Sequence, residues 1–135
     1  MLKNYDWNKS EDKDAVKAQI KALRATLTGQ QQRLRDAKLP VIVLIEGWAA
    51  AGKGSLIKEL ISEIDPRFYS VVSPAIVPET EERYPFLYPY FKAIPKNGKL
   101  TFLDSGWMEG AVRKFLRHEI TKEEYRRRVR QVNEF

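Results

Sequence analysis

With 135 residues, 43% of them apolar, and with three Trp, six Tyr and six Phe, the chain has material for one domain around one core. It has no cysteine and a single histidine, His118, which excludes a disulfide framework, a thiolate metal site and a metal site built on histidine. The formal charge of +6 favours an anionic partner and leaves open whether that is nucleic acid, anionic lipid, a nucleotide or another phosphorylated compound.

The N-terminal run MLKNYDW lacks the apolar core of a signal peptide, and residues 1–9 read as an irregular lead-in. From 10 to 38 the positions Val16, Ile20, Leu23, Leu27 and Leu34 fall at helical spacing, which predicts an N-terminal helix packed on the domain. Ser10 is its expected cap, Asp12 and Asp14 suit the positive end of its dipole, and Gly29 is a weak spot or a break. Residues 39–135 then form the core domain. Leu39-Pro40 ends the helix, and Val41 to Ile45 is an unbroken β-branched run, as in a parallel strand covered on both faces. That run is also the longest apolar stretch and far too short to span a bilayer. A cytoplasmic protein without a membrane partner is expected.

A glycine-rich turn leads into a predicted helix from Lys53 to Ile64, with Leu56, Ile57, Leu60, Ile61 and Ile64 as its apolar stripe, stopped by Asp65-Pro66. A second strand is expected at Phe68 to Val72. Pro78 to Phe91, which mixes acids with aromatics, reads as one or two short helical pieces. Pro95 to Gly98 is a turn, Leu100 to Leu103 a third strand ending at Asp104, and Trp107 to Arg117 a helix. Thr121 to Glu124 is a capping box opening a last helix with Tyr125, Val129 and Val132 on one face. Strands alternating with helices predict an α/β fold with a parallel sheet. A doubly wound sheet usually has more than three strands, so the expectation is a domain cut short. Surface left uncovered by missing strands would favour a homo-oligomer.

The chemistry concentrates in Gly47-Trp-Ala-Ala-Ala-Gly52-Lys53-Gly54-Ser55, a P-loop spacing with a hydrophobic strand before it and an amphipathic helix after it. Gly47 and Gly52 are expected to take conformations that a Cβ would forbid, so that successive N–H groups point at phosphate oxygens. The helix N-terminus adds partial positive charge and Lys53 a mobile full charge. Asp104, at the end of a neighbouring strand, suits Mg²⁺ or, alternatively, an N-cap for the next helix. Ser55 stands ready to help with the metal, because Gly54 occupies the customary hydroxyl position. The basic residues Arg126, Arg127, Arg128 and Arg130, with Arg113, Lys114, Arg117 and Lys122 upstream, make either a solvated helix face or a path for a long polyanion.

The runs PVIVLIEGWAAAGKGSLIKEL, VPETEERYPFLYPYFKAIPKNGKLTFLDSGW and QVNEF together resemble polyphosphate kinase family 2, and within it the N-terminal half of the tandem polyphosphate:AMP phosphotransferases. The resemblance covers roughly residues 10 to 135. It implies a P-loop kinase fold with a helical lid, absent here, and Mg²⁺-dependent phosphoryl transfer between polyphosphate and a nucleotide such as AMP or ADP, not nucleic acid. By position it implies that Lys53 and the amides around it hold the transferring phosphate, that Asp104 is the second-strand carboxylate, and that basic residues line the polyphosphate channel. Several positions depart from the family pattern. Ala49 stands where the family usually has Asp, and Ser105-Gly106-Trp107-Met108 stands for Arg-Ser-Trp-Tyr. Gly110 and Pro89 replace arginines. Two readings therefore stay open. One is an active polyphosphate:nucleotide phosphotransferase, with Lys53 and Asp104 catalytic. The other is a catalytically degenerate phosphate-binding domain supporting a second phosphotransferase domain.

Overall fold

Three short strands interleaved with helices build one parallel sheet in the computed structural model of the chain, which describes residues 12–74 and 84–135. The strands are β1 (Val41–Ile45), β2 (Tyr69–Val72) and β3 (Leu100–Asp104), and their order is β1-β3-β2. β3 is central. Its register runs from Val41↔Leu100 to Ile45↔Asp104 on one side and from Tyr69↔Leu100 to Val72↔Leu103 on the other. Leu100, Thr101, Phe102 and Leu103 are all buried, as a strand covered on both faces requires. The expectation of two covered faces fits this strand better than β1, which is an edge among the described residues and leaves Ile42 partly exposed.

The helices are α1 (Lys13–Asp36), α2 (Lys53–Ile61), α3 (Tyr88–Lys92), α4 (Trp107–Leu116) and α5 (Lys122–Glu134). Because side chains alternate along β3, Leu100 and Phe102 join Ile57 and Ile64 on one face, with Leu27 and Leu34 of α1 packed against them. Leu103 points to the other face and packs with Leu87, Tyr90 and Ala93, bordered by Trp107 and Val132. The α/β architecture with a parallel sheet and flanking helices is as expected.

The details differ in instructive places. Asp12, not Ser10, caps α1, accepting from the Asp14 N–H at 3.0 Å; Ser10 lies outside the described residues. Gly29 sits inside an unbroken helix. Of the predicted stripe, Leu27 and Leu34 pack on the core, whereas Ile20 and Leu23 are 42% and 68% exposed. The reason is length: a helix of 24 residues extends about 36 Å and overhangs five-residue strands of about 17 Å. Gln31 is buried instead; its Nε2 donates to the Asp65 carbonyl at 3.2 Å and its Oε1 accepts from the Asp65 N–H at 3.0 Å.

α2 stops at Ile61, three residues before the predicted end, and the turn that follows still buries Ile64. Leu56 points out to solvent. Asp65 caps a 3₁₀ turn over Pro66–Phe68, so β2 begins at Tyr69 and not at Phe68. The acidic-aromatic stretch falls partly on residues 75–83, outside the described residues; its described end supplies α3, with Pro89 in the first turn. Only half of the capping box before α5 forms. Thr121 Oγ1 accepts from the Glu124 N–H at 3.1 Å, but the Glu124 carboxylate turns to Arg127 and Arg128. No helix of the described residues is long and apolar enough to cross a membrane.

Candidate phosphate-binding site

β1 delivers the chain into the loop at Glu46, and α2 takes it up again at Lys53. Gly52 caps α2 with φ 85°, a left-handed conformation that favours glycine, and its carbonyl accepts the Leu56 N–H at 2.9 Å. Ala50 is also left-handed, with φ 61°. Gly47 does not take the conformation expected of it: its φ is not positive, and a Cβ there would meet only ordinary contacts, the nearest being Ala51 Cβ at 3.6 Å. The loop's bend thus rests on residues 50 and 52.

Lys53 folds back over this loop. Its Nζ donates to the Gly47 carbonyl at 2.8 Å and to the Trp48 carbonyl at 3.1 Å. The ammonium also lies 3.4 Å from Glu109 Oε2, with the two side chains only 13% and 18% exposed. Lys53 therefore closes the loop from within, its charge held at the mouth of α2. Gly54 and Ser55 follow in the exposed first turn, and a Cβ at Gly54 would meet nothing within 4 Å.

Asp104 ends β3 directly opposite Ile45, the residue at which β1 runs into the loop. The Ser105 N–H donates to the Ile45 carbonyl at 3.1 Å, stitching the two strand ends together. The cap of α4 is Gly106 with no side-chain bond, so the N-cap alternative for Asp104 falls away. The Asp104 carboxylate is half-exposed and makes no hydrogen bond or ion pair among the described residues. No hydrogen bond links it to Ser55.

Three further residues join the site from outside the motif. Glu109, on the first turn of α4, lies between Lys53 and Arg113, with Arg113 Nη1 at 3.8 Å from Oε1. Tyr90 is buried, edge-on to Trp107 at 5.6 Å between ring centroids. Burial pushes its phenol well above the usual range and the negative charges of Glu46 and Glu109 push it further, so it stays a neutral O–H. None of these stands near Lys53 in sequence; the β1–β3 pairing, the helix α4 that follows β3, and the packing of Tyr90 on Leu103 and Trp107 bring them together.

The basic run divides. Arg127 and Arg128 are taken up by Glu124, and Arg128 also lies over the Phe86 ring at 4.7 Å. Arg126 and Arg130 line an open cleft of about 480 Å³ with Tyr125 and Val129.

Among the described residues no three carboxylates, histidines or cysteines converge as a metal cage. Mg²⁺ does not need one, since it is commonly held by one or two carboxylates together with substrate phosphates and waters. An unpaired strand-end carboxylate and an exposed hydroxyl on the first turn of α2 are donors of that kind.

A family model described as Polyphosphate kinase 2 (PPK2) matches residues 10–135. A polyphosphate:AMP phosphotransferase of Pseudomonas aeruginosa is 34% identical over 107 residues, covering 79% of this chain and 22% of that protein. NDP-polyphosphate phosphotransferase 3 of Ruegeria pomeroyi is 31% identical over 119 residues, covering 88% of this chain and 40% of its own length. The crystal structure of polyphosphate kinase 2 from Arthrobacter aurescens aligns with a TM-score of 0.87 over 100% of this chain and 51% of that one, at 21% identity, a likeness of fold. The chain thus spans less than half the length of either curated relative.

Proposed function

The chain belongs to the polyphosphate kinase 2 family, and from that premise we propose that it carries the phosphate-binding core of a phosphotransferase moving a phosphoryl group between polyphosphate and a nucleotide, AMP or ADP. What supports this above all is the loop itself: Gly52 turns the chain into α2, and Lys53 stands over the loop beside the end of β3. Lys53 and the first amides of α2 would take the terminal phosphate of either partner. Arg126 and Arg130, in their open cleft, would hold more distant phosphates of the chain.

Mg²⁺ would sit with Asp104, helped by Ser55, and would neutralise phosphate charge there. Phosphoryl transfer needs little covalent chemistry from the protein and much positioning and charge stabilisation. On that ground Ala49, Ser105 and Gly110, which stand for an acid and two arginines of the family pattern, favour a second reading. In it this core binds phosphate while catalysis belongs to a partner phosphotransferase domain.

Turnover separates the two. Purified protein is incubated with polyphosphate, Mg²⁺ and AMP or ADP, with Lys53→Ala as the control. Formation of ADP or ATP that disappears in Lys53→Ala is the expected result. No turnover from a protein with a cooperative thermal unfolding transition would overturn the catalytic assignment in favour of the supporting domain.

A further inference from the structure

The Lys53 ammonium has three donors, and two of them are spent on the carbonyls of Gly47 and Trp48. Its remaining side faces Glu109 Oε2 at 3.4 Å. That oxygen is buried and makes no hydrogen bond among the described residues, so charge alone holds the contact. The other carboxylate oxygen faces Arg113 at 3.8 Å. Glu109 is thus an anion with two cations to choose from, one in the phosphate loop and one outside it, and Arg113 is the more exposed of the two.

We propose that Glu109 is a counterion latch on the phosphate-binding lysine, which an incoming phosphate must displace and which then falls back on Arg113. The inference rests on the reading of Lys53 given above. Carboxylate and phosphate are both anions and need the same ammonium; two anions close together in a site this sheltered repel strongly. The carboxylate is tethered in place by the first turn of α4, so it competes at any phosphate concentration. Its contact is also the weakest that Lys53 makes, longer than a charge-assisted hydrogen bond of about 2.7–2.9 Å. Release of this contact leaves the two carbonyl bonds intact, so Lys53 stays over the loop while its free donor turns to phosphate. Glu109 is in this sense a positioning residue that sets how tightly, and for how highly charged an anion, the loop closes. A longer or more highly charged phosphate displaces it more readily than a single phosphate does.

The test is calorimetric titration of tripolyphosphate into the full chain and its variants, each checked for cooperative unfolding. Glu109→Gln keeps the shape and removes the charge; it should bind about three- to tenfold more tightly than the wild type. Glu109→Asp keeps the charge but withdraws it by one methylene and should fall between them. Arg113→Gln removes the fallback cation and should bind more weakly. Were Glu109 merely a support for the fold, both of its changes would lose affinity. Glu109→Gln combined with Lys53→Ala should bind no more tightly than Lys53→Ala alone. Equal or weaker binding by Glu109→Gln, or a gain that survives without Lys53, would overturn the latch. If instead Lys53→Ala binds like the wild type, the phosphate-loop reading itself has failed.

Discussion

Gly106 lies directly beneath the carboxylate of Glu46, so close that a Cβ at Gly106 would overlap Glu46 Oε1 and Leu44 Cδ1. The pair joins the entrance of the phosphate loop to the start of α4. Restoring the serine of the family pattern here is therefore not a repair. Gly106→Ser should lower stability by about 1–3 kcal/mol through displacement of Leu44, the less movable of the two neighbours. Chemical denaturation measures it, and Leu44→Ala in the same chain should make the added cost of the serine smaller.

Gln31 ties α1 to the turn between α2 and β2 through both polar groups of the Asp65 backbone. Gln31→Ala leaves that N–H and carbonyl without their partner and should cost about 1–3 kcal/mol. Gln32→Ala, which removes two exposed bonds, one donated to Asp36 and one accepted from Arg35, should stay within about 0.5 kcal/mol. Paired thermal melts of the two variants check the contrast.

Acid should loosen α5 through Glu124. Hydrogen bonds from Arg127 and then Arg128 draw its carboxyl down from the usual 4.5 to about 2. A carboxyl depressed in the folded state contributes stability that is present above its unfolded value and lost as pH falls through the folded one. The window is thus from about pH 4.5 to about pH 2. Asp65, held down to about 2 by Arg67, titrates in the same range, so the informative quantity is a difference. Glu124→Gln should lose less melting temperature across that window than the wild type, and the two curves should be closest at its acid end.

Salt should weaken tripolyphosphate binding in the wild type, since the contacts proposed for Lys53 are ionic. Lys53→Ala should bind more weakly at low salt and respond less to added salt, which titrations at two ionic strengths will check.

The skeleton of this molecule is legible along the chain because its elements announce themselves locally. Val41 to Ile45, Leu100 to Asp104 and the helical spacing after Lys53 each carry their own signal, and the strand-loop-helix around Lys53 follows. Signals that depend on length mislead: Ile20 and Leu23 keep the helical period, yet the sheet beneath them is too short to cover them. The α2 stripe likewise runs on to Ile64, which is buried by a turn and not by a helix. Least legible are the partners of Lys53. Glu109 is an ordinary helix-surface acid in sequence, and only the pairing of Ile45 with Asp104 carries it to the loop. Ala50 hides its left-handed backbone because alanine announces no turn.

The middle place of β3 in the sheet has a consequence for how the protein is made. β1 and β2 are both complete by residue 72, yet neither pairs with the other; among the described residues each finds its partner in residues 100–104. The contact between Val41 and Leu100 closes a long stretch of chain, and the entropic cost of such distant pairings weighs on the folding barrier. During synthesis β1 and β2 both emerge before residues 100–104, the described strand that joins them. The phosphate loop, hung between β1 and α2, gains its contact with Glu109 from the helix that follows the strand ending in Asp104. Substitutions at Thr101 or Leu103 should therefore slow folding more than equally buried changes in α2, and such a change would reach the loop as a delay in its assembly.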